Sequence, residues 1–393
     1  MQKKQNERPL LPLRLKNCLP LFLAAALSVG ILTGCQRGAA GGDDTKDTSR
    51  SQVTTIAAGS GEEGNKGDTI TLTDSVGREI TLPHPVRRAV VVDRYNNEMI
   101  RACGADQYVV AVDTNTAQDR QYWAQFDPDT VVGEGCTNYN YEKVIDVDPD
   151  LFIISDISPY DETTEKLEPF DIPNYALIAY VPSRFEENVK NVGKIFGVEE
   201  QADKFFNYFN DKLEYIKKEI KPDQKQSVYL ETTKSLKAAL PGSGYNEMIE
   251  YAGAENIMAT DFEAYKETEI DPEEVLHRNP DIIVKLVTPK SAIAGSGIYT
   301  PPTKEDFQEA YNEIISRPGW SDMDAVKNNR IYFMSQFGQG GAGKLVGTLY
   351  IAKWLYPDQL PELDPDQVFR DWMETFQKFE YVPGHFYSAE ELK

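Results

Sequence analysis

The residues with the clearest chemical spacing lie in a Gly-rich segment near the C-terminus. Gly338, Gly343 and Lys344 have the spacing of a phosphate-binding loop, in which backbone N–H groups and a lysine hold nucleotide phosphates. However, Leu345 stands where such a loop has the Ser or Thr that binds magnesium. We therefore interpret this segment as a loop that lines a cleft, and not as a nucleotide site.

Other catalytic patterns are weaker still. His84, His277 and His385 do not have the spacing of metal ligands, so the sequence predicts no zinc site made of clustered histidines. No Gly-x-Ser-x-Gly segment is present, which argues against a serine hydrolase. The sequence therefore predicts no catalytic residue, no bound metal and no resident cofactor.

Side chains suited to ligand binding follow the aliphatic runs that we interpret as strands. Ligands of open α/β sheets collect beyond the carboxyl ends of the strands, where aromatic rings supply flat contact and amides and cations fix orientation. The predicted contacts in the first half of the chain are Tyr95, Asn115, Thr137, Asn138, Tyr139, Asp156 and Tyr160. Those in the second half are Lys234, Tyr245, Tyr265, Lys285, Gln336, Phe337 and Gln339.

A duplicated frame defines the elements that would position these residues. The segment Glu142–Ile154 recurs 131 positions later, from Glu273, as Glu-x-Val-aliphatic, then Asp or Asn before Pro-Asp, then aliphatic residues. The first part fits a short helix that ends before the proline, and the continuous aliphatic run fits a strand buried on both faces. Two copies predict two α/β lobes of similar construction.

The order of the remaining elements predicts how the lobes are joined. Strands alternate with helices on both sides of a long amphipathic segment that begins near Glu199 and ends at Pro222. Ser183 and Glu186 have the spacing of a capping box for a preceding helix. We predict two Rossmann-like lobes with parallel-rich sheets, residues 69–182 and 223–393, joined by a helical linker at 183–222, with a ligand cleft between them.

The N-terminus has the features of an export signal. Five basic residues before position 17 precede the apolar stretch Leu19–Leu32, which ends in Leu-Thr-Gly-Cys at Cys35. This ending resembles the lipobox of bacterial lipoproteins, in which the cysteine is lipidated and becomes the mature N-terminus. Residues 35–68 are rich in Gly, Ser, Thr and acidic residues, which predicts a disordered tether after a signal at 1–34.

Charge and cysteine content narrow the possible partners. The net charge is −22, and it becomes −26 without residues 1–34, which hold five basic residues and one acid. So negative a chain argues against nucleic-acid binding. Cys103 and Cys136 remain as thiols outside the signal and lipidation site, and the sequence leaves open whether they pair.

Together these features resemble the substrate-binding proteins of ABC importers for iron-siderophores, haem and cobalamin. The lipobox-like segment, Asp-Ser-Val-Gly-Arg at 74–78, the duplicated frame, the linking helix and Gly-Ala-Glu-Asn-Ile at 253–257 carry the resemblance over residues 70–380. It implies a lipid-anchored, extracytoplasmic monomer that captures a metal chelate without catalysis. Its expected partners are an ABC permease and its ATPase.

The resemblance also implies a role for the two glutamates that open the duplicated frame. In the family, a glutamate at this position of each lobe forms salt bridges to arginines of the permease, and Glu142 and Glu273 match both positions. An acid in a first helical turn also has the ordinary role of stabilising the helix dipole. We expect both glutamates to orient the protein over its transporter.

Two alternatives remain open on the sequence. A lipid-anchored enzyme on the same scaffold would show clustered residues with shifted pKa values in the cleft. A nutrient-sensing lipoprotein would bind the same ligand class and signal to a partner. The sequence does not identify the chelate.

Overall fold

A computed structural model describes residues 68–221, 223, 225–259, 270–290, 298–339 and 341–393, without the side chains of residues 338 and 339. The predicted signal, Cys35 and the predicted tether up to residue 67 lie outside these ranges. The described residues belong to one compact unit. None of the helices within the described ranges is long and apolar enough to cross a membrane.

The described chain before residue 182 forms the first lobe. Its strands are β1 (Thr69–Thr73), β2 (Glu79–Pro83), β3 (Ala89–Val91), β4 (Val109–Val112), β5 (Gly133–Glu134), β6 (Asn138–Tyr139), β7 (Leu151–Ile154) and β8 (Asn174–Ala176). Its helices are α1 (Arg94–Ala102), α2 (Thr114–Ala117), α3 (Tyr141–Asp146) and α4 (Tyr160–Leu167). Four strands form a parallel sheet in the order β4-β3-β7-β8, while β1-β2 and β5-β6 are antiparallel hairpins.

The central strands of this sheet are buried on both faces. Phe152 and Ile154 of β7 pack on one side with Val144 of α3, whereas Leu151 and Ile153 join the core on the other side. This alternation explains why the aliphatic run is continuous, since a parallel sheet covered by helices has no solvent face.

Two helices lead out of the first lobe, α5 (Phe185–Phe196) and α6 (Glu199–Glu219). The predicted long linking helix is α6, which buries Phe205 and Phe209. The predicted capping box is wrong, because Ser183 lies in a 3-10 turn, Pro182–Arg184, and Arg184 occupies the cap of α5 without a side-chain hydrogen bond. The chain turns into α5 through that 3-10 turn, so no polar side chain is needed at its start.

The second lobe repeats the architecture. Its strands are β9 (Ser227–Glu231), β10 (Glu255–Asn256), β11 (Ile282–Val287), β12 (Ile331–Ser335) and β13 (Phe386–Ser388). Its helices are α7 (Tyr245–Tyr251), α8 (Pro272–Arg278), α9 (Lys304–Ser316), α10 (Asp324–Lys327), α11 (Gly341–Leu355) and α12 (Pro365–Asp371). The sheet order is β10-β9-β11-β12-β13, and only β13 pairs antiparallel with its neighbour.

The duplicated frame has the same geometry in both lobes. It forms α3 and β7 in the first lobe and α8 and β11 in the second. The residue before the proline is left-handed in both copies, with φ of 46° at Asp148 and 42° at Asn279. Asp150 Oδ2 accepts from the N–H groups of Arg87 and Arg88 before β3, at 2.8 and 2.9 Å. Asp281 Oδ2 likewise accepts from the N–H of Ser227 at the start of β9, at 2.7 Å.

The C-terminal segment returns to the first lobe before it joins the second sheet. After α12 the chain makes a five-residue π-helical turn, Trp372–Phe376, in which Trp372 stacks on Phe205 of α6 with ring centroids 5.9 Å apart. Gln377 Nε2 then donates to the carbonyl oxygen of Glu98 in α1 at 2.9 Å. The segment ends in β13, so it bridges both lobes.

Candidate ligand site

The carboxyl ends of the two sheets meet where α1 and α11 begin. α1 follows β3 and α11 follows β12, so both helices start at strand ends. Gly341 has a φ of 46°, and a Cβ built there would lie 3.1 Å from the carbonyl oxygen of Ala179. A glycine therefore lets the first turn of α11 approach the backbone of the first lobe closely.

The first lobe contributes carboxylates at this edge. Asp93, with a φ of 77°, caps α1 by accepting from the Tyr95 N–H at 2.8 Å, and Cys136 Sγ lies 3.9 Å from its Oδ2. Burial raises the pKa of Asp93 to about 7. Asp113, at the end of β4, accepts from Thr116 Oγ1 at 2.5 Å, and burial raises its pKa. A strained aspartate with a near-neutral pKa is typical of a functional position.

A lysine of the second lobe lies against an aromatic ring of the first. Tyr180 donates its hydroxyl hydrogen to Asp156 Oδ2. Lys344 Nζ lies 5.0 Å from the centre of the Tyr180 ring and 4.6 Å from that of Tyr245, at the start of α7. We define the candidate ligand site as the residues at this junction: Asp93, Tyr95, Asp156, Tyr180, Tyr245 and Lys344.

A second contact between the lobes joins Tyr299 to α1 and to Tyr122. Tyr299, which lies between β11 and α9, donates to Glu98 Oε1 of α1. Its ring stacks on Tyr122 of the first lobe with centroids 3.5 Å apart. Burial raises the pKa of Glu98 to about 8, which favours the neutral form of this carboxyl group.

Several predicted contacts lie at or beside the site. Tyr95, Asp156 and Tyr245 belong to it, as described above. Asn115 lies in α2, with Nδ2 3.2 Å from the position of a Cβ on Gly135, and thus beside the turn between β5 and β6. Thr137, Asn138 and Lys234 are exposed polar residues, and Asn138 lies in β6.

Other predicted contacts have structural roles in the described chain. Tyr139 lies in β6 and is 9% exposed, with its hydroxyl group 2.6 Å from Ser158 Oγ. Tyr160 begins α4, where the guanidinium of Arg78 lies 4.9 Å from its ring. Phe337 is 3% exposed and packs among the rings of Tyr299, Phe369 and His385. All three aromatic residues pack against the hydrophobic core.

The predicted position of Lys285 in a loop is wrong. It lies inside β11, 5% exposed, and Nζ donates to Glu231 Oε1 at 2.8 Å and to the Thr232 carbonyl oxygen at 2.7 Å. Arg317 also donates to both oxygens of Glu231, at 2.8 and 2.9 Å. Although burial alone would raise the pKa of Glu231, these cations hold it below its usual range. The ammonium of Lys285 is thus already paired inside the protein.

Gln336 is the one remaining predicted contact whose side chain lies within the described residues. Gln336 follows β12 directly and its Oε1 accepts from Thr288 Oγ1 at 3.1 Å. Tyr265 and the side chain of Gln339 lie outside the described residues.

Cys103 and Cys136, whose pairing the sequence leaves open, are both free thiols. Cys103 is buried at the end of α1.

Sequence reasoning missed two residues of the site, Asp93 and Tyr180, and gave Lys344 no role beyond lining a cleft. Asp93 and Tyr180 follow strands within a few residues, so their position beyond a strand end was a usable signal. Lys344 was assigned to a cleft-lining loop, but it lies in the first turn of α11. Its ammonium group contacts the ring of Tyr180, which is far away in the sequence. No pattern of neighbouring residues predicts such a contact.

The sequence and fold have clear relatives. Residues 90–336 match the family model of periplasmic binding proteins, which is more than half of the chain. The chain belongs to the periplasmic binding protein family. This membership confirms the predicted resemblance and the predicted class of fold. The family consists of extracytoplasmic binding proteins.

Individual members of the family share low identity with this chain. The molybdate-binding protein MolA of Haemophilus influenzae is 20% identical over 346 residues, which cover 80% of this chain and 92% of that protein. The iron(3+)-hydroxamate-binding protein FhuD of Bacillus subtilis is 22% identical over 284 residues, 71% of this chain and 83% of that protein. A periplasmic haem-binding protein of Pseudomonas aeruginosa superposes with a TM-score of 0.52 at 21% identity, covering 70% and 94% of the two chains. Similar folds in this family therefore carry different ligands.

Glu142 and Glu273 occupy equivalent and exposed positions in this family member. Each lies in the first turn of its helix, α3 or α8, and each side chain is exposed. Both helices lead directly into a central strand, so their first turns lie toward the edge where the strands end. The two glutamates therefore lie on the side of the molecule that carries the candidate ligand site.

Proposed function

We propose that this protein is the substrate-binding component of an ABC importer, which captures a metal chelate between its lobes and delivers it to the permease. The meeting of the two strand-end edges supports this proposal most directly. One edge supplies Asp93, Asp156 and Tyr180, and the other supplies Tyr245 and Lys344. A site made by both lobes suits a receptor that holds one ligand at their junction.

The proposed ligand class is an iron-siderophore or a related chelate such as haem or a corrinoid. The aromatic rings at the junction offer flat contact to such ligands. Fluorescence titration with a ferric hydroxamate, a ferric catecholate, haem and cobalamin tests this directly, with molybdate as an alternative ligand. We expect a dissociation constant below about 10 μM for one chelate, and weaker binding of all of them would reject the ligand class.

We further propose that Glu142 and Glu273 dock the protein on the permease. Their positions, one on each lobe, suit a transporter that presents two equivalent surfaces. Exposed charge pairs of this kind contribute orientation and association rate more than affinity. Replacement of both glutamates should therefore impair uptake and leave ligand affinity intact.

A matched control separates docking from general loss of surface charge. Glu162 and Glu305 are also exposed acids in first helical turns, of α4 and α9. We expect Glu142→Ala with Glu273→Ala to abolish uptake of labelled chelate into cells, and Glu162→Ala with Glu305→Ala to leave it unchanged. Normal uptake by the first pair, or equal loss in both pairs, would contradict the docking role.

The proposed anchor is a lipid on Cys35. Its support is the lipobox-like sequence that ends the apolar stretch. Cys35→Ala should prevent incorporation of labelled palmitate and release the protein from the membrane fraction. Retention of label in that variant would contradict the assignment of this residue.

An enzymatic role is the second candidate, because the junction contains groups with shifted pKa values. Asp93 and Glu98 have raised values, and the main cause of each shift is burial. Each group also has a structural partner, since Asp93 caps α1 and Glu98 accepts from Tyr299. Mass spectrometry of a chelate after prolonged incubation decides between the candidates. An unchanged chelate supports capture, and chemical conversion supports an enzyme.

A further inference from the structure

Lys344 is a buried lysine at the junction of the two lobes. It is 2% exposed, and its Nζ donates to the carbonyl oxygen of Ser243 at 3.2 Å. The ammonium group lies beside rings that come from opposite lobes, Tyr180 and Tyr245. The candidate ligand site therefore holds a cation between two aromatic surfaces.

This ammonium group has no ion-pair partner within the described part of the chain. Burial of a charge without a counter-ion is unfavourable, because one hydrogen bond and ring contacts replace its hydration only in part. Burial accordingly lowers the pKa of Lys344 to about 7. An anion placed here would supply the missing charge and hold the proton on the amine.

Two carboxylates, Glu247 and Asp93, act on Lys344 through their charge without a direct contact. Glu247 of α7 and Asp93 favour its charged form, but neither forms an ion pair with it. One carboxylate oxygen of Glu247 is buried without a hydrogen-bond partner among the described residues, and Asp93 holds the start of α1. Lys285 shows the contrasting arrangement, in which the protein supplies a carboxylate at 2.8 Å.

We propose that Lys344 binds an anionic oxygen of the ligand. The oxygen belongs either to a chelate, as a carboxylate or catecholate, or to a free oxyanion. This inference rests on the proposed function, since it places the ligand between the lobes. The flexible stem of lysine allows Nζ to exchange the Ser243 carbonyl for a ligand oxygen while it stays near the two rings.

Ligand titration of charge variants tests the inference. The anionic probes are a ferric tris-catecholate, haem and molybdate, and the uncharged probe is a ferric trihydroxamate. Lys344→Met should weaken the anionic ligand that the wild type binds by about 10- to 100-fold, the effect of one hydrogen bond to a charged group. Lys344→Arg should retain most of that affinity. Lys353→Met is the matched control on the same helix, where Nζ donates to the Leu360 carbonyl oxygen at 2.7 Å.

A stability measurement separates ligand binding from a structural role. Removal of an uncompensated buried charge should raise the Tm of the ligand-free protein in Lys344→Met. Glu247→Gln should not lower the Tm, because Glu247 forms no ion pair with Lys344. A lower Tm in both variants would reveal an internal ion pair and overturn the inference.

The binding outcomes also separate the two proposals. Unchanged affinity for an anionic ligand in Lys344→Met, or an equal loss for the uncharged probe, would overturn the anion-binding role alone. Wild-type binding of only the uncharged complex would do the same and leave the transport proposal intact. A wild-type protein that binds none of the probes would overturn both.

Discussion

In the first lobe, β3 and β7 pair up to Val91 and Ile153, and the next residues of the two strands, Val92 and Ile154, belong to one apolar core cluster. In the second lobe, Glu231 pairs with Lys285 at the end of β9, and Lys285 corresponds to Ile154 in the duplicated frame. All of these residues are buried, at 5% exposure or less. One lobe thus packs two apolar side chains where its duplicate holds an ion pair. The two lobes share the parallel pairing of their strands. That pairing does not determine whether an apolar pair or an ion pair occupies the position.

Among the variants that test this difference between the lobes, loss of Glu231 should have the largest effect on the free energy of unfolding. Glu231→Ala would leave Lys285 and Arg317 buried without their shared carboxylate, and we expect a loss of about 3–5 kcal/mol in the free energy of unfolding. Urea denaturation measures it. Glu309→Ala removes an exposed partner of Lys290 and should cost less than about 1 kcal/mol. Similar losses in the two variants would show that burial of the ion pair has no consequence.

The carboxyl groups at the two strand ends should respond to pH in opposite directions. Asp93 has a folded pKa near 7 against an ordinary value of 3.8, so between these values the folded state binds more protons and stability falls as pH rises. The expected slope is at most about 1.4 kcal/mol per pH unit. Glu231 has a lowered pKa in the folded state, so it stabilises the fold at pH values above the ordinary pKa of a glutamate. This contribution is lost in acid.

Asp93→Asn isolates the first of these slopes. The amide keeps a polar cap for α1 but binds no proton, so the stability difference between variant and wild type should change steadily from pH 5 to pH 7. Urea midpoints at three pH values measure this change. A difference that does not vary with pH would contradict the raised pKa of Asp93.

Asp150 and Asp281 test a hydrogen-bonding feature that the two lobes share. Each aspartate holds the start of the neighbouring strand through its Oδ2 atom. Asp150→Ala and Asp281→Ala should each cost about 1–2 kcal/mol, and the double variant should show nearly the sum, since the sites lie in different lobes. Chemical denaturation measures all three, and a silent substitution in one lobe would show that the duplicated aspartates have diverged.

Exchange of the ion pair for the apolar pair should have the smallest effect. Glu231→Val with Lys285→Ile gives the second lobe the residue types of the first, while Arg317 retains Glu313 at 2.7 Å. Buried ion pairs replaced by apolar residues are often neutral or stabilising, so we expect a change within about 2 kcal/mol of the wild type. A loss as large as that of Glu231→Ala would mean that this ion pair is required for the fold.

The sequence predicted the duplicated elements because their signals are local. The run after Pro149 or Pro280 identifies a buried strand, and the proline fixes where the preceding helix ends. The same reasoning failed at Ser183, where a 3-10 turn leads into α5. It missed the capping box at α9, where Thr303 and Asp306 exchange both bonds.

The site was less predictable because its contacts join distant residues. The sequence predicts Lys285 in a loop after a strand, but it lies inside β11, where Glu231 pairs with it from 54 residues away. Tyr299 reaches Glu98 across 201 residues. Residues beyond strand ends could be selected from sequence, but their pairing across the lobes depends on how the two sheets face each other.

The return of the C-terminal segment to the first lobe has a mechanical consequence. Trp372 and Gln377 hold α6 and α1 while β13 completes the second sheet. A single protease cut between α6 and β9 would sever the linking connection and still leave these contacts in place. The nicked protein should therefore elute from a sizing column as one particle, and its two fragments should separate only in denaturant.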